Sequence, residues 1–270
     1  MDNYKQTLPR YESMKYRRCG QSGLLLPEIS LGFWHNFGAD ASKDNCREIV
    51  ECAFDNGITY FDLSNNYGPP CGAAECLFGE IFWSSLAAHR DEVVIATKAG
   101  HDMWPGPYGE WGSRKTIIAS IDQSLKRMKL DYVDIFYSHR PDPLTPIEET
   151  MQAFVDVVRQ GKALYVGLSK YPPEMAAKAY AYLREQHVPC LVYQGRYNMI
   201  DRNVEPEILP QAEAAGAGFV AFSPLAQGLL TGKYQHGIPE GSRMTHSGFL
   251  KPDVLTPELL DQIAVWGRGR

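Results

Sequence analysis

Tyr60-Phe61-Asp62-Leu63-Ser64-Asn65-Asn66-Tyr67-Gly68 is the stretch from which the architecture follows. Ile58, Tyr60 and Phe61 make a short apolar, β-prone run that stops at Asp62. A turn-rich segment follows, Ser64-Asn65-Asn66, which carries Tyr67 and closes on Gly68, Pro69 and Pro70. A carboxylate where a strand ends, with a phenol on the loop beyond it, is how many barrel enzymes present their reacting groups. Taken singly, Asp62 reads equally well as the cap of the next helix. The stretch gains weight because later apolar runs repeat its arrangement.

On its N-terminal side the pattern predicts a hairpin, Met14 to Arg18 and Leu24 to Leu26 around Gly20-Gln21-Ser22-Gly23. A strand from Glu28 to Leu31 ends at Gly32-Phe33-Trp34-His35, and Ser42 or Asp40 caps a helix to about Asn56. On its C-terminal side a helix runs from about Ala73 to Leu86, and Val93 to Thr97 is a continuous β run ending in Lys98. The aromatic, Gly/Pro-rich loop His101 to Tyr108 follows, and Ser113 caps a helix to Leu130. Val133 to Tyr137 is the next strand, ending in Ser138-His139. The helix Pro146 to Gln160 begins on proline and is followed by Gly161. The strand Ala163 to Leu168 ends in Ser169-Lys170. A helix from Pro172 to Gln186 leads to Cys190 to Tyr193, ending in Gln194. A helix from about Asn203 to Ala215 leads to Gly218 to Phe222, ending in Ser223.

Strands alternating with helices over short loops predict a parallel sheet covered by helices. A closed (β/α)8 barrel is favoured over an open doubly wound sheet. Asp62, Lys98, His139, Ser169, Gln194 and Ser223 all follow the C-terminal ends of successive strands, the rim where barrel sites assemble. Gly216-Ala217-Gly218-Phe219-Val220-Ala221 fits a dinucleotide fingerprint only on paper, because it precedes a strand. The strands begin near residues 28, 58, 93, 133, 163, 190 and 218, which is seven. Beyond Phe222 only a helix start at Thr256-Pro257-Glu258-Leu259-Leu260 is legible. The expectation is therefore one barrel domain over residues 1–270, truncated at the C-terminus, with its first and last strands exposed along their edges.

Composition bounds the function. At 270 residues and 44% hydrophobic the chain can bury one large core. A net charge of −5 offers no electrostatic basis for binding nucleic acid. No apolar run approaches the roughly 18–20 residues of a membrane span, and the N-terminal segment lacks the apolar centre of a signal peptide. Six cysteines show no paired CxxC spacing, so reduced thiols in a cytoplasmic protein are expected. Seven scattered histidines give no metal-ligand motif.

The residues at the strand ends carry a coherent chemistry. A phenol, with a free pKa of about 10, is a poor acid or base near neutrality. Lys98 can stabilise its phenolate and lower that pKa; a buried ammonium in turn needs a carboxylate, and Asp62 can supply it. His139 can donate to a carbonyl oxygen and orient it. Together Asp62, Tyr67, Lys98 and His139 would protonate an alkoxide as a hydride reaches carbon, which is carbonyl reduction. Each alone has a structural reading as cap, packing tyrosine, ion-pair partner or loop histidine. Glu75 and Glu80 are a much weaker candidate pair of the glycosidase kind, since both fall on a helix.

The stretches GFWHNFG, FDLSNNYGPP, TKAGHDMWPGPYG, GSRK, DQSLKRM, DYVDIFYSHR, GKALYVGLS and SPLAQGLLTGKY, spread over roughly residues 14 to 250, resemble the aldo-keto reductases. That resemblance implies a (β/α)8 TIM barrel with Asp62, Tyr67, Lys98 and His139 as catalytic tetrad. Within the superfamily the wording is most similar to bacterial enzymes that reduce L-glyceraldehyde 3-phosphate and methylglyoxal. The resemblance also implies NADPH. Ser169 and Gln194 match the carboxamide positions, Phe222 the nicotinamide face, and Ser223, Pro224, Leu225, Ala226 and Gln227 the pyrophosphate segment. Lys233, Ser242 and Arg243 match the positions near the 2′-phosphate, and Trp34 and Asp62 complete the expected cofactor site. Lys170 departs from the family's usual Asn and is left out. Trp34, Tyr67, Trp104 and His139 form the expected substrate site, although Trp34, Trp104 and Tyr108 read equally well as core. Arg114 and Lys115 read as solvated helix-start residues. Potassium-channel beta subunits resemble DYVDIFYSHRPDPLTPIEET too, which makes a nicotinamide-sensing subunit the alternative; His139 stands where those subunits usually carry Asn. The partner expected is a small aldehyde, with no nucleic acid or membrane, and self-association is left open.

Overall fold

A computed structural model describes residues 10–246 and 249–267. The hairpin pairs β1 (Tyr16–Arg18) with β2 (Leu25–Pro27) antiparallel, in the register Arg17 opposite Leu26. The strands of the main sheet are β3 (Leu31–Gly32), β4 (Tyr60–Asp62), β5 (Val94–Ala99), β6 (Val133–Ser138), β7 (Ala163–Ser169), β8 (Cys190–Arg196) and β9 (Gly218–Phe222). They lie side by side in sequence order, and the pairs from β3 to β8 are parallel. This is the partial barrel of a TIM-type α/β fold, with seven strands among the described residues.

Local chemistry sets the helices between the strands. Ser42 Oγ accepts from Asn45 N at the start of Lys43–Asp55, and Ser113 Oγ from Thr116 N at the start of Arg114–Met128. Proline opens Pro173–Glu185 at its first turn, where the missing N–H costs nothing. Ile208–Ala215 ends on Gly216, whose φ of 75° lies in the left-handed region that favours glycine.

Three boundaries differ from the sequence expectation. The first sheet strand is Leu31–Gly32, because Glu28 N instead donates to Lys15 O and extends the hairpin. The helix expected from Asn203 begins at Ile208; Tyr197 and Arg202 both bind Glu205 in the turns before it, and Pro206 follows. The helix Ala73–Ile81 continues as wider and then tighter turns to Glu92. Its Glu75 is fully buried, accepting from Thr97 Oγ1 (2.5 Å) and Arg127 Nε (2.6 Å), whereas Glu80 pairs with Lys43 at the surface. One carboxylate is structural and the other solvated, so they make no paired acid and base.

Strand alternation sends one set of side chains into the sheet's concave side and the other toward the helices. Tyr60, Val94, Ala96, Ile135, Tyr137 and Val192 form the inner cluster, joined from the hairpin by Cys19 and Leu26. Phe33, Phe61 and Phe78 pack edge-on or tilted on the helix side, at 5.2–6.2 Å between ring centroids. Within the inner cluster the hydroxyls of Tyr60 and Tyr137 are 2.7 Å apart. Gly167 makes room for the second ring: a Cβ there would lie 2.4 Å from Tyr137 Cδ1. Gly167→Ala is therefore expected to destabilise the protein by about 1–3 kcal/mol, the usual cost of overpacking. Urea unfolding checks it, and a midpoint equal to wild type would show that the ring moves freely.

Two compact units are distinguishable. The first comprises the chain up to Gln194 together with Glu207–Val220; the second comprises Gly195–Pro206 and the chain from Ala221 on. The second unit has its own small core of Leu229, Tyr234, Leu250 and Ile263. Its two segments are tied by Tyr197 N to Phe222 O and by Asn198 Nδ2 to Ser223 O. No helix among the described residues is long and apolar enough to cross a membrane.

Candidate active site

Parallel pairing places matching strand positions side by side. Asp62 is the last residue of β4 and pairs with Ala96; Lys98, two residues on along β5, pairs with Tyr137. His139 directly follows β6, Ser169 ends β7 and pairs with Gln194 of β8. The period of two thus gives Asp62, Lys98, His139, Ser169 and Gln194 to one face and one end of the sheet. Tyr67 joins them from the loop after β4, where its N–H bonds Ser64 O and its carbonyl accepts from Ala74 N.

Lys98 is at the centre. It is fully buried, and its Nζ donates to Asp62 Oδ2 (2.7 Å), Leu63 O (2.6 Å) and Tyr67 Oη (3.3 Å). Burial is the largest single influence and would lower its pKa, but Asp62 and Tyr67 together outweigh it and hold the ammonium above its ordinary value. The other carboxylate oxygen, Asp62 Oδ1, accepts from Gln194 Nε2 at 3.0 Å. Both oxygens of Asp62 are therefore committed, and the ion pair has a single arrangement.

The phenol of Tyr67 titrates above its ordinary value. Burial pushes it up first, the Lys98 ammonium pulls it back, and Asp62 pushes it up again. The lowering expected from Lys98 is present but smaller than desolvation, whose size a sequence does not contain. The consequence is a phenol that keeps its proton throughout the neutral range.

His139 is buried, with its ring edge-on to Tyr67 (5.9 Å between centroids) and to His101 (4.4 Å). Burial, then the charges of Lys98, Lys170, His101 and Arg140, hold its pKa well below the histidine range, so the ring is neutral. His101 is lowered in the same way to about 4, by burial and then by Lys170 and Arg140. An unfolded histidine titrates near about 6.5. Between these values the unfolded chain takes a proton that the folded one refuses, so stability rises with pH through the window and is lost on acidification from 6.5 toward 4. His101→Asn is expected to flatten the fall in Tm across that interval, leaving the share due to His139. Thermal melts at several pH values check this, and parallel curves for the two proteins would count against it.

The remaining expected residues fall in two groups. Trp34 and Trp104 are partly exposed on the loops beyond β3 and β5, Trp34 edge-on to His35 at 4.0 Å. Arg140 fastens the second of these loops by donating to Gly100 O, pairing with Glu110 and lying over the Trp111 ring. Phe222, Ser223, Pro224, Leu225, Ala226, Gln227, Lys233, Ser242 and Arg243 belong to the second unit. There Ser223, Ala226, Gln227 and Gly228 all have positive φ, between 47° and 100°.

Two groups escaped the sequence reading. Leu63 contributes only its carbonyl, which no side-chain pattern reveals. Ser64, fully buried, has its Oγ 2.9 Å from His139 Nδ1. Its signal lay in the founding stretch, two residues after Asp62, where it reads as a turn former.

Residues 28–268 match the family model described as the aldo/keto reductase family. The chain is 56% identical over 254 residues to the L-glyceraldehyde 3-phosphate reductase of Escherichia coli (strain K12), spanning 94% of this chain and 73% of that protein. The protein of that name from Escherichia coli O157:H7 matches to the same extent. A probable voltage-gated potassium channel subunit beta of Arabidopsis thaliana is 40% identical over 235 residues, spanning 85% of this chain and 70% of that protein. With an ordered Asp–Lys–Tyr cluster at the strand ends and a match of this length, the chain belongs to the aldo/keto reductase family.

Proposed function

We propose that this protein reduces small aldehydes to alcohols with NADPH, L-glyceraldehyde 3-phosphate and methylglyoxal being the substrates of first choice. The observation that carries this reading is the Lys98 ammonium, 2.7 Å from the Asp62 carboxylate and 3.3 Å from the Tyr67 hydroxyl. NADPH, when bound, supplies the hydride. His139 orients the carbonyl through a ring N–H, and Tyr67 gives its proton to the oxygen as negative charge develops there. An alkoxide is a far stronger base than a phenolate, so the transfer runs downhill even from a phenol of raised pKa. Lys98 stabilises the phenolate left behind, Asp62 holds Lys98, and Gln194 holds Asp62.

The residues fit the cofactor. Ser169 Oγ is buried without a hydrogen-bond partner among the described residues, and a carboxamide N–H would satisfy it. Positive φ at Ser223, Ala226, Gln227 and Gly228 folds this segment into tight turns of the kind found where a backbone approaches an anion, which supports a pyrophosphate role for Ser223–Gln227. Phe222 is assigned to the nicotinamide face, Lys233, Ser242 and Arg243 to the 2′-phosphate, and Trp34 and Trp104 to the walls of the substrate pocket. The relative named L-glyceraldehyde 3-phosphate reductase favours a small, phosphorylated aldehyde, and a cytoplasmic setting is part of the proposal.

The test is loss of NADPH absorbance with a panel of small aldehydes that includes both substrates. Aldehyde-dependent oxidation, faster with NADPH than NADH, is expected. No oxidation with any member, using either cofactor, would overturn the reading. The 40% identity to a channel subunit beta supports a second reading, a nicotinamide-sensing subunit without turnover. That reading requires cofactor binding, no aldehyde-dependent oxidation, and recovery of a membrane partner from lysate.

A further inference from the structure

The donor role given to His139 rests on a proton that must sit on one particular ring nitrogen. A neutral imidazole carries a single N–H, and whichever hydrogen bond one nitrogen makes fixes the state of the other. His139 Nδ1 has a partner, the Ser64 hydroxyl at 2.9 Å. We propose that Ser64 is a positioning residue that selects the His139 tautomer, its hydroxyl donating to Nδ1 so that Nε2 carries the proton offered to an aldehyde oxygen.

The surroundings of Ser64 make this selection workable. The side chain is fully buried, so water does not compete for the hydroxyl. Its Oγ has two other neighbours, the Asn66 amide with Oδ1 at 2.7 Å and the Lys98 carbonyl at 3.4 Å. A hydroxyl has one proton to give and two lone pairs to share. The carbonyl can only accept, and at 3.4 Å it is the weakest of the three contacts. As placed, Asn66 turns its oxygen to Ser64 and accepts from the hydroxyl; the oxygen and nitrogen of an amide exchange places by a half-turn about the last side-chain bond, and the proposal takes that flipped orientation. With the amide nitrogen toward Ser64, Asn66 donates to Oγ, Oγ donates to Nδ1, and Nε2–H results. With the amide oxygen toward Ser64, every bond in the chain reverses and Nε2 is left with a lone pair, which repels a carbonyl oxygen. Asn66, Ser64 and His139 are thus three links of one directional chain. Aldehyde reduction needs the first direction.

The inference depends on the reductase reading for its consequence but not for its measurement. Nitrogen-15 NMR of the whole protein labelled at its histidines distinguishes the two tautomers, the His139 signals being assigned by their loss in His139→Gln. Wild type is expected to show protonated Nε2 and an accepting Nδ1. Ser64→Ala is expected to give a mixture of tautomers, with kcat/KM for aldehyde reduction down on the order of ten-fold, about the net worth of one hydrogen bond. Ser64→Thr, which keeps the hydroxyl, is expected to restore both readouts. Protonated Nδ1 in the wild-type protein would overturn the proposal, as would an unchanged tautomer in Ser64→Ala. If the tautomer behaves as stated while wild type oxidises no NADPH with any aldehyde, the reductase reading fails and the Ser64 assignment stands.

Discussion

Tyr67→Phe is expected to slow aldehyde reduction by about 10²–10⁴-fold, the range that a positioned proton donor supplies. The substitution removes one oxygen from a site whose other groups are tied to one another. Lys98 keeps Asp62 Oδ2 and the Leu63 carbonyl, and Asp62 keeps Gln194. The ring remains to pack against His139. Folding and NADPH affinity should therefore stay close to wild type, so the loss appears in kcat. Single-turnover kinetics and cofactor titration by tryptophan fluorescence separate the two. Near-normal turnover in Tyr67→Phe would remove the phenol from the mechanism.

Lys98→Met is expected to damage both rate and stability. Lys98 is fully buried and the Asp62 side chain only 12% exposed, so removing the ammonium strands a carboxylate in the interior. Breaking a buried pair from one side typically costs about 3–5 kcal/mol. Tyr67 loses the one group that lowers its pKa, leaving burial and Asp62 to raise it unopposed. The group governing reduction should then titrate higher, and kcat should fall. Adding Asp62→Asn to Lys98→Met removes the stranded charge, so it should recover most of the stability and none of the rate. Urea unfolding and pH–rate profiles of the three proteins test this. Wild-type turnover and stability in Lys98→Met would exclude the ammonium from both roles.

Much of this arrangement is legible in the chain. The alternation of apolar runs with capped helical segments gives a parallel α/β sheet, and the polar residue closing each run gives the rim. Asp62, Lys98, His139, Ser169 and Gln194 are all found there, on one face, because a strand's period of two is a property of local sequence. What depends on distant partners is not legible. β3 is short because Glu28 bonds Lys15, a pairing between residues in different runs. Gln194 reads as a cofactor ligand, and only the folded sheet places its amide on Asp62. The net rise of the Tyr67 pKa follows from how much protein surrounds it, which no neighbouring residue encodes. Ser64 lies only two residues beyond Asp62, but a serine in a turn-rich stretch has many uses, and only a 2.9 Å contact picks one.

Cys19 and Leu26 of the hairpin press into the inner cluster beneath Tyr60 and Tyr137, and all four are less than 9% exposed. The strand positions that precede Asp62 and Lys98 are thus filled by packed side chains. The polar groups of the pair face instead the end where the strands give way to loops. Arg140 stands at that end, gripping Gly100, Glu110 and Trp111 in the loop after β5. One guanidinium thereby ties three separate points of that loop together, so the loop's shape hangs on a single side chain.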